Sequence, residues 1–481
     1  MDIRPILLVV GVLLATLGCA MMIPAIVDLI NNSPDWQVFA SSSAFTLLIG
    51  LGLFLSARGI PKSLSIRQAF VMTVTVWITV SGFGALPFYL SGIVPTYTDA
   101  YFEALSGLTT TGSTVITGLD VAPIGILLWR GILQWLGGLG VLVMAVAVLP
   151  MLQIGGMQIF KVEAFDTSDK ILPRASQISG SITSIFVILT FICFLFYLAA
   201  GMDVLDATVH AMTTVATGGF STSDASLGHF DSMAVDLTAS LFMVLGSIPF
   251  LLYVQFVGGN PKPLFRDSQV RVFLAVLLVA IIIVWNLERF SGVNPGLFRL
   301  VDAIFNVTSI ITGTGFATDD YTLWGHGSVA FFFVIMFVGG CAGSTSCGIK
   351  IFRFQVLFQD IRQHLHKIIY PNGVFIKKFN GRPLPSSVST AVMSFFFLFI
   401  ASFAVSAVAL NLTGLDMLTA ISAAGTSISN VGPGLGNIIG PAGNFKSLND
   451  PAKWILCITM LVGRLELFTV LVLFFPSFWK N

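Results

Sequence analysis

Ten apolar runs of bilayer-spanning length constrain the fold of this chain more than any other feature. A helix needs about 20 apolar residues to cross the hydrocarbon core of a membrane. The chain is 55% hydrophobic and only 10% charged, whereas a soluble protein carries about 25% charged residues. The sequence therefore predicts an all-α polytopic membrane protein. The predicted spans are residues 5–30, 38–57, 66–90, 124–150, 180–200, 233–257, 270–290, 328–355, 388–410 and 453–476.

The distribution of basic residues predicts how these spans are oriented. Eighteen of the 24 Lys and Arg residues lie on one side of the spans, four lie on the other side, and two lie within spans. An excess of Lys and Arg marks cytoplasmic segments. Because the number of spans is even, both termini are expected in the cytoplasm. The four residues on the opposite side are Arg289, Arg299, Lys446 and Lys453.

Four segments repeat one pattern, and each lies between two spans and is too short to cross a membrane. Each begins with Asp or Thr followed by Ala and ends on Gly, and each predicts a half-helix of about eight to ten residues. Chance similarity among apolar segments is the alternative, but agreement at both ends in four equivalent places favours an internal repeat. The segments are DAYFEALSGLTTTG (99–112), DATVHAMTTVATGG (206–219), DAIFNVTSIITGTG (302–315) and TAISAAGTSISNVG (419–432). The predicted N-cap residues are Asp99, Asp206, Asp302 and Thr419.

The loops that end these segments predict a cation pore. Non-helical backbone at membrane depth occurs only where it is buried in protein or lines a water-filled cavity. Four such loops can meet on a pseudo-fourfold axis, where their carbonyl oxygens replace the water shell of a cation. Glycine accepts the backbone angles that such a loop requires. The C-terminal ends of the half-helices carry partial negative charge, which also favours a cation.

With these features the chain resembles the Trk/Ktr/HKT superfamily of potassium transporters, and within it the bacterial TrkH type. The resemblance covers nearly the whole chain and includes LLWRGILQWLGGLG (127–140), GGCAGSTSCGIK (339–350) and GRLEL (463–467). It implies potassium uptake across the inner membrane by four span–half-helix–span repeats, preceded by two extra helices. The implied units are the extra helices in 1–60 and pore repeats in 61–160, 161–262, 263–370 and 371–481.

The resemblance also implies which residues form the selectivity filter. Its four strands differ from one another and from the TVGYG of tetrameric potassium channels, so we expect fewer well-formed ion sites and weaker discrimination against sodium. Potassium, with rubidium and sodium as competing ions, is the expected ligand, and no cofactor is expected. The filter strands are Thr110, Thr111, Gly112 and Ser113; Thr217, Gly218, Gly219 and Phe220; Gly313, Thr314, Gly315 and Phe316; and Asn430, Val431, Gly432 and Pro433.

The Gly-rich segment 339–350 lies in the middle of the eighth span. Four glycines and three small polar residues either interrupt the helix or allow close helix packing, and the composition leaves both interpretations open. The resemblance implies an intramembrane loop beneath the filter that acts as a gate. Lys350, at its end, is either an interfacial lysine or part of the gate. The expected mobile residues are Gly339, Gly340, Gly343, Ser344 and Thr345.

Two arginines, Arg130 and Arg464, lie well inside predicted spans and away from the span ends. Arg464 lies near the middle of the tenth span, and intramembrane charges normally face a cavity or an ion pathway. We favour a role as a positive charge beneath the filter that opposes cation passage; the alternative is a structural contact with Glu466 or with carbonyls of the broken eighth span. A spacing of two places Arg464 and Glu466 on different helix faces. Arg130 is expected to pair with Glu103 or Glu466.

The longest basic segment, 353–385, is expected in the cytoplasm. A Pro-Asn-Gly sequence at 371–373 predicts a hairpin or a helix–turn–strand unit. A solvated basic loop is the simpler interpretation, but its length and aromatic content favour a partner surface. The resemblance implies a homodimer and a ring of cytosolic nucleotide-binding regulatory subunits that docks here.

Two other functional classes were weighed. A secondary transporter, which couples potassium to protons or sodium by symport, places its site between two inverted halves, whereas four parallel repeats favour a central pore. A membrane-embedded enzyme requires a nucleophile–base pair or a metal site, and neither the His nor the Cys spacing predicts one. We therefore expect no enzyme activity.

Overall fold

The computed structural model describes residues 1–57, 65–147, 175–290 and 297–480; for 145–147, 175–176, 288–290, 297–299 and 382 it describes the backbone alone. Several predictions fall outside the described residues. They are the unit boundaries at 60/61 and 160/161 and the end of the fourth span (148–150). Five of the eighteen basic residues that were predicted on the cytoplasmic side also lie there: Arg58, Lys62, Lys161, Lys170 and Arg174.

The described chain is helical except for one small hairpin. In chain order the helices are α1 (Arg4–Ile30), α2 (Trp36–Ser56), α3 (Ile66–Gly84), α4 (Leu86–Leu90), α5 (Tyr97–Leu108), α6 (Ile124–Ala147), α7 (Ala175–Ala199), α8 (Val204–Val215), α9 (Met233–Gly246), α10 (Phe250–Val257), α11 (Lys262–Arg266), α12 (Ser268–Phe290), α13 (Leu297–Thr312), α14 (His326–Ile335), α15 (Ile351–Ile369), α16 (Ser386–Leu412), α17 (Met417–Ser429), α18 (Asp450–Arg464), α19 (Leu467–Leu471) and α20 (Pro476–Trp479). Short 3-10 turns lie at Leu119–Val121, Ser226–Phe230, Tyr321–Trp324 and Val472–Phe474. Strands β1 (Lys378–Phe379) and β2 (Arg382–Pro383) pair antiparallel.

Among the described residues, seven helices are long and apolar enough to cross a membrane, and up to nine if each of two bent pairs counts as one span. The remaining predicted span, 328–355, is divided, because α14 ends at Ile335 and α15 begins at Ile351. The chain is thus a multi-pass membrane protein, and the interruption predicted in the eighth span is present.

The four half-helices are α5, α8, α13 and α17, and they join the repeats into a closed ring. Each one packs against spans of its own repeat, such as α3 and α6 for α5. Three of them also pack against the second span of the preceding repeat: α8 against α6, α13 against α9, and α5 against α18. The last of these contacts brings the first and fourth repeats together. Helix α1 packs against α2, α3 and α6, and Gly125 N at the start of α6 donates to Asp28 Oδ1 in α1 (2.8 Å).

The half-helices begin earlier than predicted, and the predicted N-caps were wrong. In three of them the cap side chain accepts a hydrogen bond from the backbone N–H three residues later. Acidic side chains are favoured throughout the first turn by the helix dipole, so Asp99 and Asp206 mark that turn and not the cap. The observed N-caps are Thr96 in α5, Asp203 in α8 and Asp416 in α17. The residues predicted as caps lie within the helices: Asp99, Asp206, Asp302 and Thr419.

Two spans that were predicted as continuous are sharply bent. Helices α9 and α10 meet at 88°, and α18 meets the α19 segment at 115°. Pro249 lies in the first break and lacks the N–H that would continue the helix. Glu466 lies in the second break with a positive φ of 62°, a conformation that non-glycine residues seldom adopt. Both breaks face the helix-free segment 336–350, as the contacts below show.

Helix α15 and the hairpin form the segment that was predicted as a partner surface. The turn after α15 lies at the predicted Pro-Asn-Gly sequence, at residues 371–372. The hairpin turn lies later, at Asn380 and Gly381, both with positive φ. Lys377 Nζ donates to Asp360 Oδ1 on α15 (2.5 Å), which ties the hairpin to the helix. The helix–turn–strand alternative is therefore the observed one.

Candidate functional site: a ring of four loops above a helix-free segment

The four predicted filter loops meet as a closed ring. At each loop glycine, the position of an added Cβ lies against the carbonyl oxygen of the residue that precedes the glycine in the next loop. At Gly432 this distance is 2.7 Å, to Thr111 O, and at the other three glycines the Cβ would overlap the oxygen. Only glycine therefore fits at these positions. The ring contacts are Gly112 with Gly218 O, Gly219 with Thr314 O, Gly315 with Val431 O, and Gly432 with Thr111 O.

The four loops share one backbone conformation despite their different sequences. In each loop the glycine that ends the repeated segment and the residue two positions before it have positive φ. The earlier residue is a glycine in the third loop only, and at the others a Thr or Asn is held in a left-handed conformation that costs a non-glycine residue roughly 1–2 kcal/mol. The sequence predicted these three residues as part of the filter strands but did not predict their left-handed conformation. The earlier positions are Thr110 (52°), Thr217 (51°), Gly313 (72°) and Asn430 (52°).

A side chain on the half-helix holds the strand that follows each of the first three loops. The residue lies at the fifth position of each repeated segment, and its chemistry differs from repeat to repeat. Glu103 accepts from Val115 N (2.8 Å), His210 Nε2 is 2.9 Å from Ser221 Oγ, and Asn306 Nδ2 donates to Thr318 Oγ1 (2.8 Å). The fourth segment has Ala423 here. These tethers fix where the strands run after the ring.

Arg130 confirms one of its two predicted pairings. Its Nε is 2.9 Å from Glu103 Oε1, and both side chains are almost fully buried. Its Nη1 donates to Ser221 O (2.5 Å), and its guanidinium lies 4.1 Å from the ring centre of Phe220. Arg130 thus joins the first half-helix to the second filter strand. The alternative partner, Glu466, pairs elsewhere.

Two amide side chains, those of Gln134 and Asn430, hydrogen-bond to the loops of the ring. The sequence did not predict a role for Gln134. Gln134 on α6 donates to Gly218 O (2.5 Å) and accepts from Phe220 N (3.0 Å). Asn430 donates to Thr111 Oγ1 and to Met460 O, both at 2.9 Å. Each amide bridges segments from different repeats, so no local pattern marks it. A buried polar side chain in an otherwise apolar span was the available signal for Gln134.

A cavity of about 310 Å³ lies on the side of the ring where the strands leave it. Its lining includes Gly112, Gly219, Gly315 and Gly432, one glycine from each loop, together with Asp224. The Asp224 carboxylate accepts from Gly118 N (2.8 Å) and Leu119 N (3.2 Å). The cavity therefore gives access to the ring at all four loops at once.

The segment 336–350 runs across the opposite side of the ring without helical structure. Hydrogen bonds hold it to the break between α9 and α10 and to the fourth half-helix. Thr345 N and Oγ1 donate to Gly246 O (3.2 and 2.9 Å), Phe250 N donates to Gly343 O (2.9 Å), and Gly348 N donates to Ser429 O (2.9 Å). The other predicted gate residues lie in the same segment: Gly339, Gly340 and Ser344.

The charged residues predicted at the gate surround this segment. Arg464 Nη1 is 3.3 Å from Thr345 O and 2.6 Å from Cys347 Sγ, so the alternative contact with carbonyls of the broken span is present. Glu466 does not pair with Arg464; it accepts from Arg353 Nη2 (2.5 Å), as the helix-face argument predicted. Lys350 Nζ donates to Ser346 O, so its ammonium lies against the segment.

Cys347 is the residue at this site that sequence reasoning placed least well. The sequence assigned it no role at the filter, yet its Sγ is 3.5 Å from Thr110 Oγ1 in the first filter loop. A Cβ on Gly313 in the third loop would lie 2.9 Å from Cys347 Cβ. The thiol therefore lies at the end of the ring, between two opposite loops.

Comparisons with known proteins agree with this architecture. A model of the TrkH family, described as a cation transport protein, matches residues 35–481. The chain is 45% identical to the Trk system potassium uptake protein TrkI of Halomonas elongata over 99% of its own length and 97% of that protein. It is 38% identical to the Trk system potassium uptake protein TrkH of Escherichia coli K12, over 100% of both chains. The crystal structure of the potassium transporter TrkH from Vibrio parahaemolyticus superposes with a TM-score of 0.91, at 35% identity over 100% of both chains.

Proposed function

Because the chain belongs to the TrkH family of cation transport proteins, we propose that it takes up potassium through the ring of four loops. The observation that carries this proposal is the ring itself, in which every loop glycine lies against a carbonyl oxygen of the next loop. Four loops in one backbone conformation surround a single axis. Backbone carbonyls arranged in this way can replace the hydration shell of a potassium ion.

The sixteen filter residues of the four strands, 110–113, 217–220, 313–316 and 430–433, would supply the ion sites. The cavity of about 310 Å³ supports this assignment because it reaches the ring on the side where the strands leave it. An ion entering there meets the four glycines first. The negative ends of the four half-helices favour a cation at the centre.

The segment 339–350 and Arg464 would form the gate. The segment crosses the axis on the side opposite the cavity, and Arg464 is buried beside it with 6% of its surface exposed. A fixed positive charge at low dielectric opposes a cation by several kcal/mol. Opening would therefore require the segment and the guanidinium to move off the axis, and the two bent spans that hold the segment are the elements that could move it.

Orientation, membrane and partners follow from the same proposal. The excess of Lys and Arg near the α15 hairpin and the termini supports a cytoplasmic position for this face, in the inner membrane of a bacterium. The hairpin would form part of a docking surface for a cytosolic nucleotide-binding regulatory ring. A homodimer is part of the proposal.

Flux measurements in liposomes test the proposal. Purified protein should pass rubidium down its gradient, in preference to sodium, without any proton gradient. Protein-free liposomes and liposomes with heat-denatured protein are the controls. Absence of rubidium flux with and without the regulatory subunit would refute the pore, and flux that strictly requires a proton or sodium gradient would establish the coupled transporter instead.

A further inference from the structure

A small cavity beside the helix-free segment has an excess of positive charge in its lining. Its volume is about 50 Å³, and its charged lining residues are Lys350, Arg353, Arg464 and Glu466. Glu466 is paired with Arg353, so among the described lining residues no carboxylate is left for Lys350 or Arg464. A buried charge is costly unless an opposite charge lies beside it. The cavity therefore favours a negatively charged ligand.

Arg464 also has hydrogen-bond donors to spare at this cavity. Its exposed fraction is 6%, and the contacts with Thr345 O and Cys347 Sγ both use its Nη1. Its Nε and Nη2 have no hydrogen-bond partner among the described residues. Buried polar groups are seldom left without a partner, and N–H donors require an acceptor. A small anion would supply the acceptor and the negative charge together.

We propose that this cavity binds one small monovalent anion, for which chloride is the probe, held by Arg464 and Lys350. Hydrogen bonds between charged partners are roughly twice as strong as those between neutral ones. One water molecule needs about 10–15 Å³ of such a cavity, so a chloride ion fits, whereas an anion as large as gluconate does not. The anion balances only one of these two positive charges, so the electrostatic barrier to a cation remains.

A bound anion should favour the closed arrangement of the segment. Lys350 ends the segment 336–350, whereas Arg464 ends α18, so an anion held by both joins the segment to that span. Movement of the segment off the axis would separate the two cationic groups and remove the site. A ligand that binds one of two conformations shifts the equilibrium toward it. This effect rests on the proposed gate, whereas the anion site itself does not.

Thermal unfolding of the full-length protein in detergent tests the site. Chloride replaces gluconate at constant ionic strength and constant rubidium, and the chloride concentration that gives half of the rise in unfolding temperature is recorded. Arg464→Gln and Lys350→Met each remove one charged donor from the cavity. Lys446→Met is the control, because it removes an exposed positive charge that does not line the cavity.

We expect the half-maximal chloride concentration to rise by about 10- to 100-fold in Arg464→Gln and in Lys350→Met, as the loss of one charged hydrogen bond predicts. In Lys446→Met it should stay within about twofold of the unmodified protein. Crystals grown with bromide in place of chloride should give an anomalous difference peak beside Arg464 and Lys350. A peak only elsewhere, no chloride-dependent rise, or an unchanged half-maximal concentration in both cavity variants would overturn the site.

Rubidium flux in liposomes tests the effect on the gate separately. With chloride at ten times its half-maximal concentration, binding to the closed form alone lowers the ratio of open to closed protein by about tenfold. Flux of the unmodified protein and of Lys446→Met should therefore fall by about tenfold when chloride replaces gluconate. Equal flux in the two salts would overturn the effect on the gate and leave the site standing. No flux in either salt would overturn the proposed pore together with the gate effect, whereas the binding results would still decide the site.

Discussion

Alanine substitution of the ring glycines should lower ion selectivity, and the loss should increase with the overlap between the added methyl group and the next loop. The perturbation is one methyl group at Gly432, at Gly219, and at the control position Gly201 between α7 and α8. Gly432 and Gly201 have closely similar φ values, 112° and 101°. A Cβ at Gly201 meets nothing within 4 Å, whereas at Gly432 it would lie 2.7 Å from Thr111 O. The pair therefore separates backbone strain from the ring contact.

The magnitudes follow from these distances. A non-glycine residue in such a backbone region costs about 1–3 kcal/mol, and this is the whole cost expected for Gly201→Ala. Gly432→Ala adds a contact that is 0.3 Å shorter than the 3.0 Å that Cβ atoms tolerate, and such overpacking costs about 1–3 kcal/mol more. At Gly219 the methyl would overlap Thr314 O, so the ring must open there. Each 1.4 kcal/mol lost in ion discrimination is about tenfold in selectivity.

Thermal unfolding in detergent and the rubidium-to-sodium flux ratio in liposomes measure the two effects. We expect Gly201→Ala to lower the unfolding temperature but keep the flux ratio, Gly432→Ala to lower the ratio, and Gly219→Ala to lower it further or to abolish selective flux. The reasoning is refuted if Gly219→Ala keeps the flux ratio of Gly201→Ala, because the ring contact would then have no part in selectivity.

Two further substitutions test the charges around the ring. Arg464→Ala should raise rubidium flux by about tenfold or more, because each 1.36 kcal/mol removed from a barrier is tenfold in rate; an unchanged flux with folded protein would show that the guanidinium is not on the pathway. Glu103→Gln should lower the free energy of unfolding by about 3–5 kcal/mol, since it leaves Arg130 buried without its counter-charge. The double replacement Glu103→Leu with Arg130→Met should recover part of that loss in denaturant titrations, and a double variant as unstable as Glu103→Gln would contradict the pairing argument.

The sequence predicted those features of the site that depend on residues close together in the chain. The positions of Gly112, Gly219, Gly315 and Gly432 follow from their shared place in four repeated segments, and each has the positive φ that glycine permits. The four glycines within residues 339–350 allowed either an interruption of the eighth span or close helix packing, and the resemblance favoured the interruption that the structure contains. Such features depend on neighbours in the chain, which is why they can be read before the fold is known.

The features that were missed depend on contacts between distant segments. Thr110 and Cys347 are 237 positions apart in the chain, and Gln134 reaches a loop 84 positions away. No periodicity brings such pairs together. No local sequence rule predicts the bend at Glu466, because there is no proline at that position. The ion pair of Glu466 with Arg353 joins residues that are distant in the chain.

The different side chains at one position of the half-helices explain how a fourfold ring of loops forms from four different sequences. Each repeat must place one backbone strand at the same distance from the axis, and the first three do so with a carboxylate, an imidazole and an amide at the same helix position. The requirement is thus on the position of the backbone and leaves the side chain free to differ. The proposed selection of the ion by carbonyl oxygens would impose that requirement, because carbonyls are common to every residue. A pore that selected through side chains would have required the opposite, identical residues in a ring.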